Sequence, residues 1–181
     1  FNVIMGSKYL YLEGYLWDSE LAKNAFIKAA QIAKQSNTKI ILSLSDSFCV
    51  DRHRESFLEL IDEYVDIVFC NESEVLSLFQ NDKLANCQGD LSSLCELVVV
   101  TLGSNGSLVL NNNYIEVIKS ITKKKVIDTT GAGDIYAGGF IHGLINNYSL
   151  KKCGEIGSIC AGQIITELGS RSSIALKELI R

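Results

Sequence analysis

Short apolar cores at 40–42, 67–70 and 97–100 mark expected strands at 38–44, 67–70 and 97–102 of this 181-residue chain, with helix-periodic stretches between them. Runs of that length suit strands buried on both faces. Strands separated by helices imply βαβ units, a mainly parallel sheet and right-handed crossovers. A further strand is predicted at Tyr9–Leu12, and a helix over Ser19–Gln35 that puts Leu21, Ala25 and Ile32 on one side. Helices are expected at Arg54–Tyr64, Glu72–Phe79 and Leu91–Cys95, then at 132–147, 151–166 and 174–180. Ser107–Leu110 and Tyr114–Ile118 flank Asn111-Asn112-Asn113 and read as an antiparallel pair at one edge. Neither a repeat nor a linker interrupts the pattern, so one domain over 1–181 is expected.

The stretch 128–134 reads Asp-Thr-Thr-Gly-Ala-Gly-Asp and runs directly into Ile135-Tyr136-Ala137-Gly138-Gly139-Phe140-Ile141. A polar, glycine-bearing turn thus feeds an apolar helix. Gly131, Ala132 and Gly133 carry little or no side chain, so their N–H groups can approach a ligand closely. At a helix start those groups lack intrahelical partners, and the macrodipole adds partial positive charge. Such a place suits a phosphate. Asp134, one residue further on, could take a proton from an attacking hydroxyl. The plain alternative is a tight turn followed by an acid that favours a helix N-terminus.

Two other phosphate motifs fail on spacing. The dinucleotide fingerprint needs glycine or alanine where Tyr136 stands, and no Gly-Lys dipeptide ends a P-loop anywhere in the chain. Gly138 and Gly139 within a helix cost about 1 kcal/mol each relative to alanine, which predicts close packing against the sheet or a nucleotide.

DTTGAGDIYAGGF resembles the C-terminal signature of the ribokinase-like (PfkB) family of sugar and nucleoside kinases. YLYLEGYLWD at 9–18, ILSLSD at 41–46, NESE at 71–74 and TLGSNG at 101–106 agree with it in order and spacing. LEGYL and LSLSD look most like the adenosine-kinase-like branch. The resemblance implies a three-layer α/β/α fold with a mainly parallel central sheet and an antiparallel edge. It also implies an ATP-dependent phosphotransferase that moves the γ-phosphate to an alcohol group of an adenosine-like nucleoside or a sugar. Asp134 would be the general base, and Gly131, Ala132 and Gly133 the anion hole, which fits a reaction governed by positioning and charge stabilisation.

The same resemblance assigns Asn71 and Glu74 to phosphate and magnesium placement, with Glu74 acting through water. Hard magnesium prefers oxygen donors and keeps several waters. Asn71-x-x-Glu74 after Ile67-Val68-Phe69 is also a helix capping box, and both readings can hold together. Thr101, Gly103 and Gly106 match the nucleotide turn, just past the C-terminal end of the run 97–100, where ligands of open α/β sheets gather. Without the resemblance they are a glycine turn before the next strand. Ser158 takes the position that lines the adenine pocket. Asp128 and Thr130, with backbone near Gly169, take that of a monovalent cation, potassium, used in some branches. The chain departs from the family's Gly-Ala-Arg-Pro with Gly169-Ser170-Arg171-Ser172.

The chain starts at Phe1, and a substrate-binding signature, a β-lid and a sugar-binding aspartate are not visible in it. A C-terminal portion of a kinase is therefore expected, weakly active or inactive alone, with homodimerisation through lid elements outside the chain. A catalytically silent module binding a nucleotide or a partner is the alternative.

With 17 basic against 21 acidic residues the net charge is −4, which disfavours nucleic acid or an anionic membrane as partner. Lys123-Lys124-Lys125 is a short basic cluster that reads as a solvated loop. Six cysteines without Cys-x-x-Cys spacing, and His53 far in sequence from His142, argue against zinc. With neither a signal-peptide pattern nor an apolar run of about 20 residues, reduced thiols in a cytoplasmic protein are expected. His142 is expected to be structural.

Overall fold

A computed structural model describes residues 2–112, 114–121 and 125–180. Asn113 of the asparagine turn and Lys123 and Lys124 of the basic cluster lie outside the described residues. In chain order the elements are α1 (Asn2–Met5), β1 (Tyr9–Glu13), α2 (Glu20–Gln35), β2 (Lys39–Ser43), α3 (Ser47–Tyr64), β3 (Ile67–Asn71), α4 (Glu72–Phe79) and α5 (Gln88–Leu94). They continue with β4 (Leu97–Thr101), β5 (Ser107–Asn111), β6 (Ile115–Ile118), α6 (Ala132–Ile145) and α7 (Leu150–Ile164). The strands form one sheet in the order β1-β2-β3-β4-β5-β6, so the mixed α/β, mainly parallel fold read from the sequence holds.

The chain falls into two compact units, Phe1–Val100 with Leu110–Tyr114, and Thr101–Val109 with Ile115–Arg181. In the first, β1 and β2 run parallel with Tyr9 opposite Lys39, and β2 and β3 run parallel with Ile41 opposite Ile67. Ile40, Ile41 and Leu42 are wholly buried, as are Val98, Val99 and Val100, which is why these runs lack any polar alternation. Each such side chain contributes about 1.5–3 kcal/mol of burial.

Helix α3 starts seven residues earlier than the periodic pattern from Arg54 implies. Asp46 caps it by accepting the Cys49 N–H at 2.8 Å, and the charged stretch Asp51–Glu55 hides the continuation, with a non-helical kink at His53. The 3-10 turn Gly14–Asp18 was likewise invisible to periodicity. It buries Trp17, which stacks on Phe57 with centroids 5.7 Å apart and donates its indole N–H to Ser56 Oγ at 2.9 Å.

In the second unit α6 and α7 pack closely. A Cβ on Gly139 would lie 3.1 Å from Gly157 Cα, whereas one on Gly138 would meet nothing within 4 Å. The tight contact expected of the glycine pair is therefore helix on helix, and only Gly139 needs it. Residues 174–180, expected as a helix, form a single 3-10 turn at Leu176–Glu178. None of them is buried, and a segment that short cannot offset the cost of helix nucleation without an apolar face to bury.

Candidate active site

The second unit holds a cavity of about 620 Å³, within the usual range for small-molecule sites. Thr101, Gly103 and Gly106 line one wall. The turn they form after β4 is closed by Leu102 N–H to Gly106 O at 2.8 Å. Gly106 adopts φ 93, ψ −130, and a Cβ there would sit 1.9 Å from Ile118 O. Only glycine fits. Ser158 of α7 lines the cavity and donates to Lys119 O at 3.1 Å. Ala161, Gly162 and Ile165 continue that wall opposite no charged group, since the lining among the described residues includes no Asp, Glu, Lys or Arg. Such a lining suits the uncharged part of a ligand.

Ala132 and Gly133 bring the start of α6 to the same cavity. Gly131 holds φ 74 as the residue before the helix, and a Cβ there would come 2.8 Å from Ser170 Cβ. The Ala132 N–H is bonded to Thr129 O at 3.1 Å, and the Ile135 N–H to Gly131 O at 3.0 Å. Among the described residues, the N–H groups of Gly131, Gly133 and Asp134 have no hydrogen-bond partner. The free donors are therefore Gly131, Gly133 and Asp134 rather than the run Gly131–Gly133 read from sequence. Ala132 lends its small side chain, not its amide.

Asp134 is exposed at the first turn of α6 and makes no hydrogen bond or ion pair among the described residues. It does not itself line the cavity. Asp128 Oδ1 accepts from the Thr130 N–H at 2.9 Å and from Thr130 Oγ1 at 2.7 Å, and Oδ2 accepts from the Gly169 N–H at 2.9 Å. The Thr130 hydroxyl and amide and the Gly169 amide hold the Asp128 carboxyl below the usual carboxylate range. The resemblance grouped Asp128 and Thr130 with backbone near Gly169, and the group that reaches Asp128 from there, 41 residues away, is the Gly169 N–H.

Asn71 and Glu74 belong to the first unit. Asn71 Oδ1 accepts the Glu74 N–H at 3.0 Å, and Glu74 Oε2 accepts the Asn71 N–H at 3.0 Å, which completes the capping box foreseen for α4. Glu74 Oε1 also accepts from Asn71 Nδ2 at 2.5 Å. Glu74 is only 3% exposed, and burial pushes its carboxyl up to about 7, with Asp46 and Glu13 adding repulsion. A raised carboxyl costs the folded state once it ionises. That contribution to stability is whole below the unfolded pKa near 4.5 and is lost as pH rises to about 7. The loss is on the order of 3 kcal/mol. Glu74→Gln should flatten this part of the stability profile, measured by urea unfolding at pH 4.5 to 8 without magnesium. An unchanged slope would mean that the carboxyl is not the titrating group.

The sequence missed Tyr136 as a lining residue, because its place in an apolar helix marks it only as core. Among the described residues the six cysteines form no disulfide, and five of them are buried. His142 lies on α6, exposed and within 3.4 Å of Asn146. Among the described residues no helix is long and apolar enough to cross a membrane, and no group of three or more His, Cys, Asp or Glu could hold a metal ion.

Sheet order, helix placement and solved neighbours define a ribokinase-like α/β fold. The chain belongs to the pfkB family of carbohydrate kinases, whose model matches residues 4–177. It is 40% identical to adenosine kinase from Sinorhizobium meliloti, with a TM-score of 0.95 over 98% of this chain and 54% of that one. It is 26% identical over 181 residues to adenosine kinase from Dictyostelium discoideum, covering 93% of this chain and 52% of that one. An E. coli structure described as a ribokinase II in complex with ATP and Mg2+ shares the fold, at 22% identity and a TM-score of 0.86 over 98% of this chain and 59% of that one. The chain spans about half the length of the curated relatives it matches.

Proposed function

We propose that the gene product containing this chain transfers the γ-phosphate of ATP to an alcohol group of a nucleoside, adenosine-like, or of a sugar. One observation carries this reading: an exposed carboxylate, Asp134, stands in the same helical turn as three unbonded amides, next to a cavity whose described lining residues carry no charge. The amides of Gly131, Gly133 and Asp134 would receive charge that develops on the transferring phosphoryl group. Because they are fixed by the turn, they need little reorganisation. Asp134 would accept the proton of the attacking hydroxyl, and its freedom from other bonds leaves both oxygens available. Thr101, Gly103, Gly106 and Ser158 would hold the nucleotide.

ATP with magnesium is the cofactor pair that this reading takes. Glu74 offers oxygen donors of the kind magnesium prefers, but each oxygen already accepts from Asn71, so contact through water fits better than direct ligation. Magnesium supplies charge neutralisation of the polyphosphate. Asp128 accepts three hydrogen bonds of roughly four that a carboxylate can take, which leaves room for a monovalent cation beside Thr130 Oγ1.

The test is formation of ADP by the whole gene product with ATP, magnesium and a panel of adenosine, ribose and fructose. At least one acceptor should raise ADP formation at least tenfold over the acceptor-free rate. If ATP binds but no acceptor does so, the site is a silent nucleotide-binding module and the kinase reading falls. On the 181-residue chain alone, ATP binding with little turnover is expected, because no acceptor-orienting group is identified among the described residues.

A further inference from the structure

Among the described residues, the one buried hydroxyl pair of the second unit lies between two parts of the proposed site. Ser107 follows Gly106 of the nucleotide turn directly and begins β5, and Tyr136 follows Asp134 by two positions in α6. Their hydroxyls meet at 2.6 Å, although 29 residues separate them in sequence. Ser107 is 0% and Tyr136 4% exposed, and Tyr136 also lines the cavity.

Tyr136 packs closely against the glycines of α7. A Cβ on Gly157 would come 2.9 Å from its carbonyl oxygen and 3.0 Å from its ring Cζ. A Cβ on Gly154 would come 3.3 Å from the hydroxyl oxygen. The ring also stacks on Phe140, centroids 6.3 Å apart. Burial of apolar surface alone would be served as well by phenylalanine, since a buried hydroxyl is costly unless bonded. What the hydroxyl adds is a directional tie between the turn at 101–106 and the first turn of α6.

We propose that Tyr136 is a positioning residue: through Ser107 and the glycine faces of α7, it fixes Asp134 and the bare amides of α6 relative to the nucleotide turn. The proposal rests on the phosphotransfer reading of this site. Burial pushes the Tyr136 hydroxyl up to about 12, so the tie stays uncharged at any working pH. Its consequence is geometric. Displacement of catalytic groups by a fraction of an ångström lowers the chemical step while leaving the nucleotide pocket intact.

The test uses the whole gene product in four forms: wild type, Tyr136→Phe, Ser107→Ala and the double variant. In Tyr136→Phe, kcat should fall about tenfold with KM for ATP unchanged within twofold. Both single variants leave one buried hydroxyl without its partner and should lower the urea midpoint. The double variant removes both and should recover the midpoint without recovering kcat. A purely structural role predicts the opposite, with kcat returning alongside stability, and that result would overturn the proposal. So would a Tyr136→Phe kcat within twofold of wild type. Amide hydrogen exchange at 131–135 supplies a readout that does not need turnover. Exchange should quicken in Tyr136→Phe and stay quick in the double variant, and unchanged exchange would also overturn the proposal. Absence of transfer by the wild type would remove the functional reading, while the exchange comparison still decides whether Tyr136 holds the turn.

Discussion

Replacing Asp134 by asparagine in the whole gene product should lower kcat for phosphoryl transfer by about 10² to 10⁴. The substitution keeps the shape of the side chain and the start of α6, and it removes the proposed proton acceptor. KM for ATP should change less than threefold, because Asp134 does not line the cavity whereas Thr101, Gly103, Gly106 and Ser158 do. Steady-state kinetics with the best acceptor, together with ATP titration calorimetry, would separate the two quantities. Asp134 is exposed and free of hydrogen bonds and ion pairs among the described residues, so its loss should leave the urea midpoint nearly unchanged. Full activity in this variant would remove Asp134 as base. A parallel loss of ATP affinity would instead make it a binding residue.

Gly106→Ala should be the most damaging single methyl in the second unit. The new Cβ would lie 1.9 Å from Ile118 O and 2.8 Å from Ser120 N, at a backbone φ of 93 that side chains rarely adopt. Both contacts are with backbone, so relief requires the turn or β6 to move. A loss of about 3–5 kcal/mol is expected, with ATP binding abolished because Gly106 lines the cavity. Gly103→Ala is the internal control. Its φ is 56 and nothing lies within 4 Å of the added Cβ, so about 1–2 kcal/mol of backbone strain is the whole cost. Equal urea midpoints for the two variants would contradict the close approach of the turn to Ile118.

Much of the candidate site was legible because its features are local in the chain. Gly131-Ala132-Gly133-Asp134 announces a turn feeding a helix, since each property involved, small side chains, unpaired amides and a first-turn acid, belongs to residues within four positions. Asn71 and Glu74 announce a capping box for the same reason, and the box is present with both hydrogen bonds. Strands 39–43 and 97–101 were legible from their apolar cores, Ile40–Leu42 and Leu97–Val100, because burial on both faces disfavours polar alternation there. Where the pattern failed, burial was the arbiter. Ile174, Leu176 and Leu179 look helical, yet without a surface to cover they form one 3-10 turn.

By itself, then, the sequence determined the order of strands and helices, the α6 start with its acid, and the family to which the chain belongs. Local hydrogen bonding and hydrophobic period act over a few residues and are written directly in the residue order. Tertiary structure alone decided that Tyr136 meets Ser107, that the group reaching Asp128 is the Gly169 amide, and that Gly106 comes against Ile118. Those contacts join residues 12 to 41 positions apart. Chain folding sets such distances through packing, and no spacing rule in the sequence encodes them.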